Sequence, residues 1–551
     1  MQARMIPTTV AWKEASIASV LLLACLLPFS GRAFHIDDPL FLWSAQQIRD
    51  HPLDPFGFEV NWYGWAMPMA EVTQNPPIAC YYIALSASVL GWSELALHVA
   101  FLLPALAVVW GTYVLARRLC GRPMVATLAT VLSPVFLVSA NTVMSDVMML
   151  AMWLWSVILW DRGLGRGRRW SLVVSAILIG LCGLTKYFGI CLVPLLAAYT
   201  LTRRMSAWRA LIYLIIPVSI MAAYELVTAS IYGRGMLLDA IGYTSASHLR
   251  QQAAATTRLL AGLAFTGGAA APVLMLAPLL ISRRQWPWAL AATAAAFLVL
   301  GGTLFATRIQ LAVWCAVGLG VLVLAIDDLR VTRRHEAVLL LLWVAGTFVF
   351  ATQINWLVNG RSVLPMVPAV AILVARHFDR ARPRLGSVQV RALAGGFAVA
   401  VALAVAVTWA DYRLANSTRQ AADLIVDKYI DRPGTLWLQD HWGFQYYGQQ
   451  RGALPQDESR SLMLKGDILV ISDNASNPIV MKEGDTSDIE RISVDVPAWI
   501  ATMSPEVSAR FYGGRGLSLP FAFGRVKPEQ YNIYRMERNI RYTPPDDPPE
   551  P

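Results

Sequence analysis

Charge is what this sequence has least of. Only 15% of its 551 residues are Asp, Glu, Lys or Arg, against 56% hydrophobic, and a soluble chain of this length needs more charge to cover its surface. An ordinary soluble protein is therefore excluded. Cysteine is also rare: Cys25, Cys80, Cys120, Cys182, Cys191 and Cys315 all fall in or beside apolar segments. Their spacing fits neither a metal site nor a disulfide framework, so they read as small packing residues. The net charge of +10 is scattered over separate loops and forms no basic stripe, which argues against nucleic acid as a partner. The first apolar segment lacks a small-residue cleavage site and reads as a retained helix.

What the sequence does have is long apolar runs. They recur from residue 16 to residue 409, each long enough to cross a hydrocarbon core of roughly 30 Å, and they predict about 13 transmembrane helices. Expected crossings include 16–33, 93–116, 123–140, 144–160, 170–184, 187–202, 259–281, 287–305, 363–376 and 393–410. Short loops rich in Lys and Arg stay in the cytoplasm. With a cytoplasmic N-terminus, "ARRLCGR", "DRGLGRGRR", "TRRMSAWR", "DDLRVTRR" and "RHFDRARPR" all fall inside, roughly 22 basic residues against about eight in the opposite short loops.

Residues 1–410 are thus expected to form a membrane domain and 411–551 a small soluble α/β domain on the far side, with strands at "TLWLQ" and "GDILVIS" and a disordered tail. Two long loops share that side. Residues 34–92 open with "DDPLFLWSAQQIRD", an interfacial helix with Pro39 in its first turn. The stretch after Pro76 and Pro77 is expected to dip into the membrane without crossing. Residues 232–258 form a cover loop. No repeated halves are visible, which weighs against a transporter built from inverted repeats.

This topology gathers Asp37, Asp38, Glu71, Gln74, Asn75, Asn141, Asp146, Lys186, Asn355 and Arg361 at one membrane face. Asp38 precedes a proline and is placed to cap the interfacial helix. Asp37 has no such local task and suits a general base. Ser145 and Asp146 could simply start a helix. Lys186, between two apolar spans, is costly there unless it meets an anion. With Arg361, for which an interfacial anchor is the alternative, it offers a phosphate two cations. Trp62 and Tyr63 could stack on a sugar or belong to an interfacial belt. Carboxylate base plus cationic phosphate site suggests a hydroxyl attacking an activated carbon as a lipid-linked phosphate departs.

The chain resembles the GT-C glycosyltransferases, in particular the family 39 or RgtA/B/C/D-like group, which includes relatives of the protein O-mannosyltransferases and the lipid A aminoarabinose transferase. The residues that carry the likeness are "IDDPLFLWSAQQI", "NPPIACYYIAL", "GWSELALHVAFLLPALAVVWGTYVLARRL", "SPVFLVSANTVMSDVMMLAMW", "GLTKYFG" and, more loosely, "NGRSVLPMVPAVAIL". Relatives often have Asp-Glu at Asp37-Asp38 and Lys or His at Asn75. The resemblance implies a polytopic α-helical GT-C-like fold in the bacterial inner membrane. It implies an inverting hexosyl- or pentosyltransferase that moves a sugar from a polyprenyl-phosphate-linked donor to a periplasmic lipid, glycan or protein hydroxyl. Asp37 matches the general base, supported by Asp38, with Asp146 on the acceptor side. Lys186, Arg361 and Asn75 would hold the donor phosphate, and Glu71, Gln74, Trp62 and Tyr63 would contact substrate. No cofactor is required, although some relatives use a divalent cation. A transporter of lipid-linked sugar is the alternative; the segment "DHWGFQYYG" carries no assigned chemistry.

Overall fold

A helix that must cross a bilayer needs about 20 apolar residues, and the described residues supply eight helices that qualify by length and composition, or nine with one bent pair. The computed structural model describes residues 8–203, 205–251, 255–269, 294, 297, 305–384, 386–474, 481–513 and 516–541. The expected crossings 259–281 and 287–305 lie mostly outside these residues. The expected 123–140 span is the bent pair, Pro123–Val131 and Pro134–Ala140, which meet at 59°. Pro134 cannot continue the first helix, and Ser133 starts the second by accepting the Phe136 amide. At the expected crossings 170–184 and 187–202 stand the apolar helices Arg169–Thr185 and Leu192–Leu201, both shorter than the eight that qualify as spans.

The basic loops are braced to one another. Asp161 takes Arg118 and Arg203, Asp379 takes Arg122, and Asp328 takes Arg376 and Arg380. These pairs draw together the ends of helices whose loops were expected to share one compartment. Opposite them, the 34–92 segment forms the helix Asp38–Asp50, a small hairpin of Glu59–Asn61 and Ala66–Pro68, and the helix Ile78–Leu90. At 13 residues the last is about 20 Å long, too short to cross. Residues Met236–Gln251, in the expected cover loop, are helical.

The helix Ser387–Tyr429 runs 43 residues without a break at 410. It reaches far beyond a bilayer, and its end packs Ala421, Ile425 and Tyr429 against a five-stranded sheet. The sheet order is 454–455, 436–439, 468–472, 529–536, 486–494. The first three strands are parallel and the last two join antiparallel. Residues 500–513 and 516–526 stay out of this sheet. They form short strand pairs, and their Phe511, Tyr512, Leu519 and Phe521 are buried in the same core as the membrane helices.

Candidate active site

Ile36 adopts φ 55°, a left-handed backbone that a β-branched residue rarely accepts outside a constrained site. Around this turn the two neighbouring aspartates diverge. Asp38 points inward and is fully buried. Its Oδ2 accepts from Arg32 Nη1 and from the His35 amide, both at 3.0 Å, and its Oδ1 accepts from the Val143 amide at 3.1 Å. The expected cap is therefore not made: both oxygens are committed elsewhere, and no side chain caps this helix.

Arg32 is equally buried. It donates through Nε to Asp411 Oδ2 at 3.1 Å and through Nη2 to the Tyr512 hydroxyl at 3.2 Å. The Tyr512 and Thr502 hydroxyls donate to Asp411. One network thus joins the first loop, the last long helix and the C-terminal segment, and through Val143 it fixes the loop that carries Asp146. Sequence reasoning missed Arg32, Asp411 and Tyr512. The available signal was charge at the edges of apolar runs: Arg32 closes the first and Asp411 follows the last.

Asp37 points outward. Arg361 Nη2 donates to its Oδ2 at 2.7 Å, and Arg361 Nη1 lies 3.9 Å from Asp146 Oδ2. Lys186 Nζ donates to Asp146 Oδ1 at 2.5 Å. The result is an alternating row, Lys186, Asp146, Arg361, Asp37, drawn from four separate segments. Arg361 sits in a short helix started by Asn359 and Ser362, whose side chains bond each other's backbone amides, and its guanidinium lies over the Tyr512 ring. Ser145 makes no capping bond; Asp146 opens the helix Asp146–Arg166 and is paired there with Lys186 and Arg361.

Asp37, Lys186 and Arg361 line a cavity of about 1270 Å³ together with Gln74, Asn75, Trp62, Tyr63 and Asn355. Asp38 and Asp146 stand behind that lining, and Asp146 is 1% exposed. Glu71 is outside it; Arg234 bridges Glu71 at 3.3 Å and Asp239 at 3.1 Å, tying the first loop to the Met236–Gln251 helix. Trp62 is buried, edge-on to Trp43 and His441, so the alternative of a free interfacial belt does not apply to it. That helix also lines the cavity with Tyr243 and Thr244. Among the described residues no group of three or more His, Cys, Asp or Glu side chains is arranged to hold a metal ion.

Residues 74–230 match the model of the dolichyl-phosphate-mannose-protein mannosyltransferase family. Comparison with curated protein sequences gives no match. Among solved structures, the chain is similar to the Archaeoglobus fulgidus oligosaccharyltransferase tethered to an acceptor peptide, at 11% identity and a TM-score of 0.50, over 82% of this chain and 64% of that one. It thus spans just under two thirds of that enzyme's length. It is also similar to ArnT from Cupriavidus metallidurans bound to undecaprenyl phosphate, at 15% identity and a TM-score of 0.47, over 85% and 94% of the two chains.

Proposed function

Because this chain has the GT-C membrane fold, we propose that it is an inverting glycosyltransferase that moves a sugar from a polyprenyl-phosphate-linked donor to a hydroxyl acceptor. The observation that carries this reading is the row of Lys186, Asp146, Arg361 and Asp37, three of which, Lys186, Arg361 and Asp37, line one cavity. Lys186 and Arg361 take the donor phosphate, and Asn75 lines the same cavity. The acceptor oxygen attacks the anomeric carbon, its proton passes to Asp37, and the carbon–oxygen bond to phosphate breaks. The electron pair leaves with polyprenyl phosphate, a good leaving group whose growing charge the two cations stabilise. One displacement inverts the carbon attacked.

The positive-inside distribution supports transfer on the periplasmic side of a bacterial inner membrane, the face of the 34–92 loop and the C-terminal domain. The acceptor is a lipid, glycan or protein hydroxyl, and the sugar a hexose or pentose.

The test incubates purified protein with a panel of polyprenyl-phosphate sugars and membrane extract, with mass spectrometry of both products. Release of free polyprenyl phosphate with a glycosylated acceptor is expected; cargo moved intact would indicate a transporter. Asp37→Asn is expected to abolish transfer while donor binding persists, and full activity in that variant would remove Asp37 as base.

A further inference from the structure

The segment Asp440–Gly448 has no role in the phosphate site, yet its first residues reach the same cavity. Asp440, His441 and Trp442 line it, as do Ser472, Asn474, Glu529 and Tyr531. The topology explains the convergence. Strand 436–439 ends at Asp440, and its chain leaves through the helix Trp442–Gln450 to strand 454–455 on one flank. Its parallel neighbour 468–472 ends at Ser472, and its chain leaves for strand 486–494 on the other flank. Two adjacent parallel strands whose connections diverge open a crevice at their carboxyl ends, where α/β sheets bind ligands.

Local geometry there is specialised. Trp442 has φ 63°, strain of the kind found at functional turns. A Cβ on Gly443 would stand 2.4 Å from the Phe34 carbonyl oxygen and 2.7 Å from Thr418 Oγ1, so only glycine lets this turn press onto the loop that carries Asp37. The His441 amide donates to Asp440 Oδ1 at 2.7 Å, and Asn474 Nδ2 donates to Glu529 Oε2 at 2.5 Å. His35 lines the cavity at 3% exposure, edge-on to Trp442, and its buried Nδ1, which has no hydrogen-bond partner, lies against the Gly443 turn.

We propose that Asp440, Ser472, Asn474 and Glu529, with His35, form a hydroxyl-binding subsite that holds a neutral saccharide as the acceptor. This rests on the glycosyltransferase reading above and names the substrate class it leaves open. The chemistry favours a polyol over an ion. Burial pushes both Asp440 and Glu529 up to about 7, so near neutral pH each carboxyl both donates and accepts, as a sugar hydroxyl does. Among the described residues no group of three or more His, Cys, Asp or Glu side chains is placed there to hold a metal ion.

The experiment is saturation-transfer NMR on the full-length protein in nanodiscs, with methyl α-D-glucopyranoside, methyl α-D-mannopyranoside and methyl α-D-galactopyranoside as probes. Undecaprenyl phosphate affinity is measured in parallel. Transfer to the ring protons of at least one glycoside is expected in the parent protein. It should fall about fivefold or more in the Asp440→Asn/Glu529→Gln double variant, the scale of one or two lost hydrogen bonds. Asn474→Ala should lower it as well and decides the matter alone if the double variant does not fold. Undecaprenyl phosphate affinity should stay unchanged in both. Undiminished transfer in folded variants, or no transfer to any of the three probes, overturns the subsite. If the glycosides bind and undecaprenyl phosphate does not, the subsite stands and the donor assignment falls.

Discussion

At Asp38 a buried carboxylate faces a buried guanidinium, and the partners of both reach into three distant segments. Removing Asp38 leaves buried Arg32 with Asp411 as its one carboxylate partner and leaves the His35 and Val143 amides without their acceptor. Asp38→Ala is therefore expected to destabilise the protein by about 3–5 kcal/mol, seen as a lower melting temperature in detergent, whereas Asp37→Asn should melt close to the parent. Lys186 answers to a different measurement. Its partner Asp146 is 1% exposed and also lies near Arg361, so Lys186→Ala leaves one cation facing both carboxylates. Undecaprenyl phosphate affinity should fall about tenfold or more, a loss in keeping with one charge-assisted contact. Unchanged affinity would remove Lys186 from the phosphate site. The sequence exposed these charges because ions beside apolar runs are conspicuous. It could not say that Asp37 and Asp38 face opposite ways, since that depends on the strained turn at Ile36.

Among the elements, the C-terminal sheet carries a titration of its own. Asp440 is held up to about 7 by burial, well above the value of an unfolded aspartate. Between about pH 4 and pH 7 the unfolded chain therefore binds fewer protons at this position than the folded one, and Asp440 contributes stability that is lost as pH rises. His441, held down to about 4 by burial, acts with the opposite sign up to the pH where an unfolded histidine titrates. The clean readout is a difference: Asp440→Asn should gain in melting temperature on the parent as pH climbs from about 4 to about 7. A constant difference would contradict the burial of that carboxyl. The strands at 436–439 and 468–472 were legible from their apolar runs, "TLWLQ" and "GDILVIS". The 43-residue helix that enters this region was expected as a span ending at 410; that it runs on past this point as one continuous helix came only with the structure, where its far end packs against the sheet.

Across the whole molecule, the two faces of the bundle differ in kind. One carries the braced basic loops, the other the cavity roofed by the 34–92 segment and the C-terminal strands. In a cysteine-free background, Leu53→Cys, on an exposed loop tip, should react with a membrane-impermeant maleimide in spheroplasts. Arg168→Cys, in a basic loop, should react only after permeabilisation. The reverse pattern would invert the orientation and move the reaction to the cytoplasm. The C-terminal segment is bound into this arrangement by Phe511, Tyr512 and Phe521 and by Trp314 of the helix Phe305–Thr332 against Phe521.

The sequence by itself determined that the chain is a polytopic helical membrane protein, which of its loops are basic, and which few ions stand apart from them beside apolar runs. Length, hydropathy and charge distribution are summed along the chain, and neither an apolar run nor a basic loop needs a distant contact to be read. Only the tertiary structure decided which ions meet. The pairing of Asp37 with Arg361, of Lys186 with Asp146 and of Arg32 with both Asp38 and Asp411 joins residues from 6 to 379 positions apart. A buried charge is tolerated only where its partner arrives, and that arrival is a property of the packed helices, not of any local run of residues.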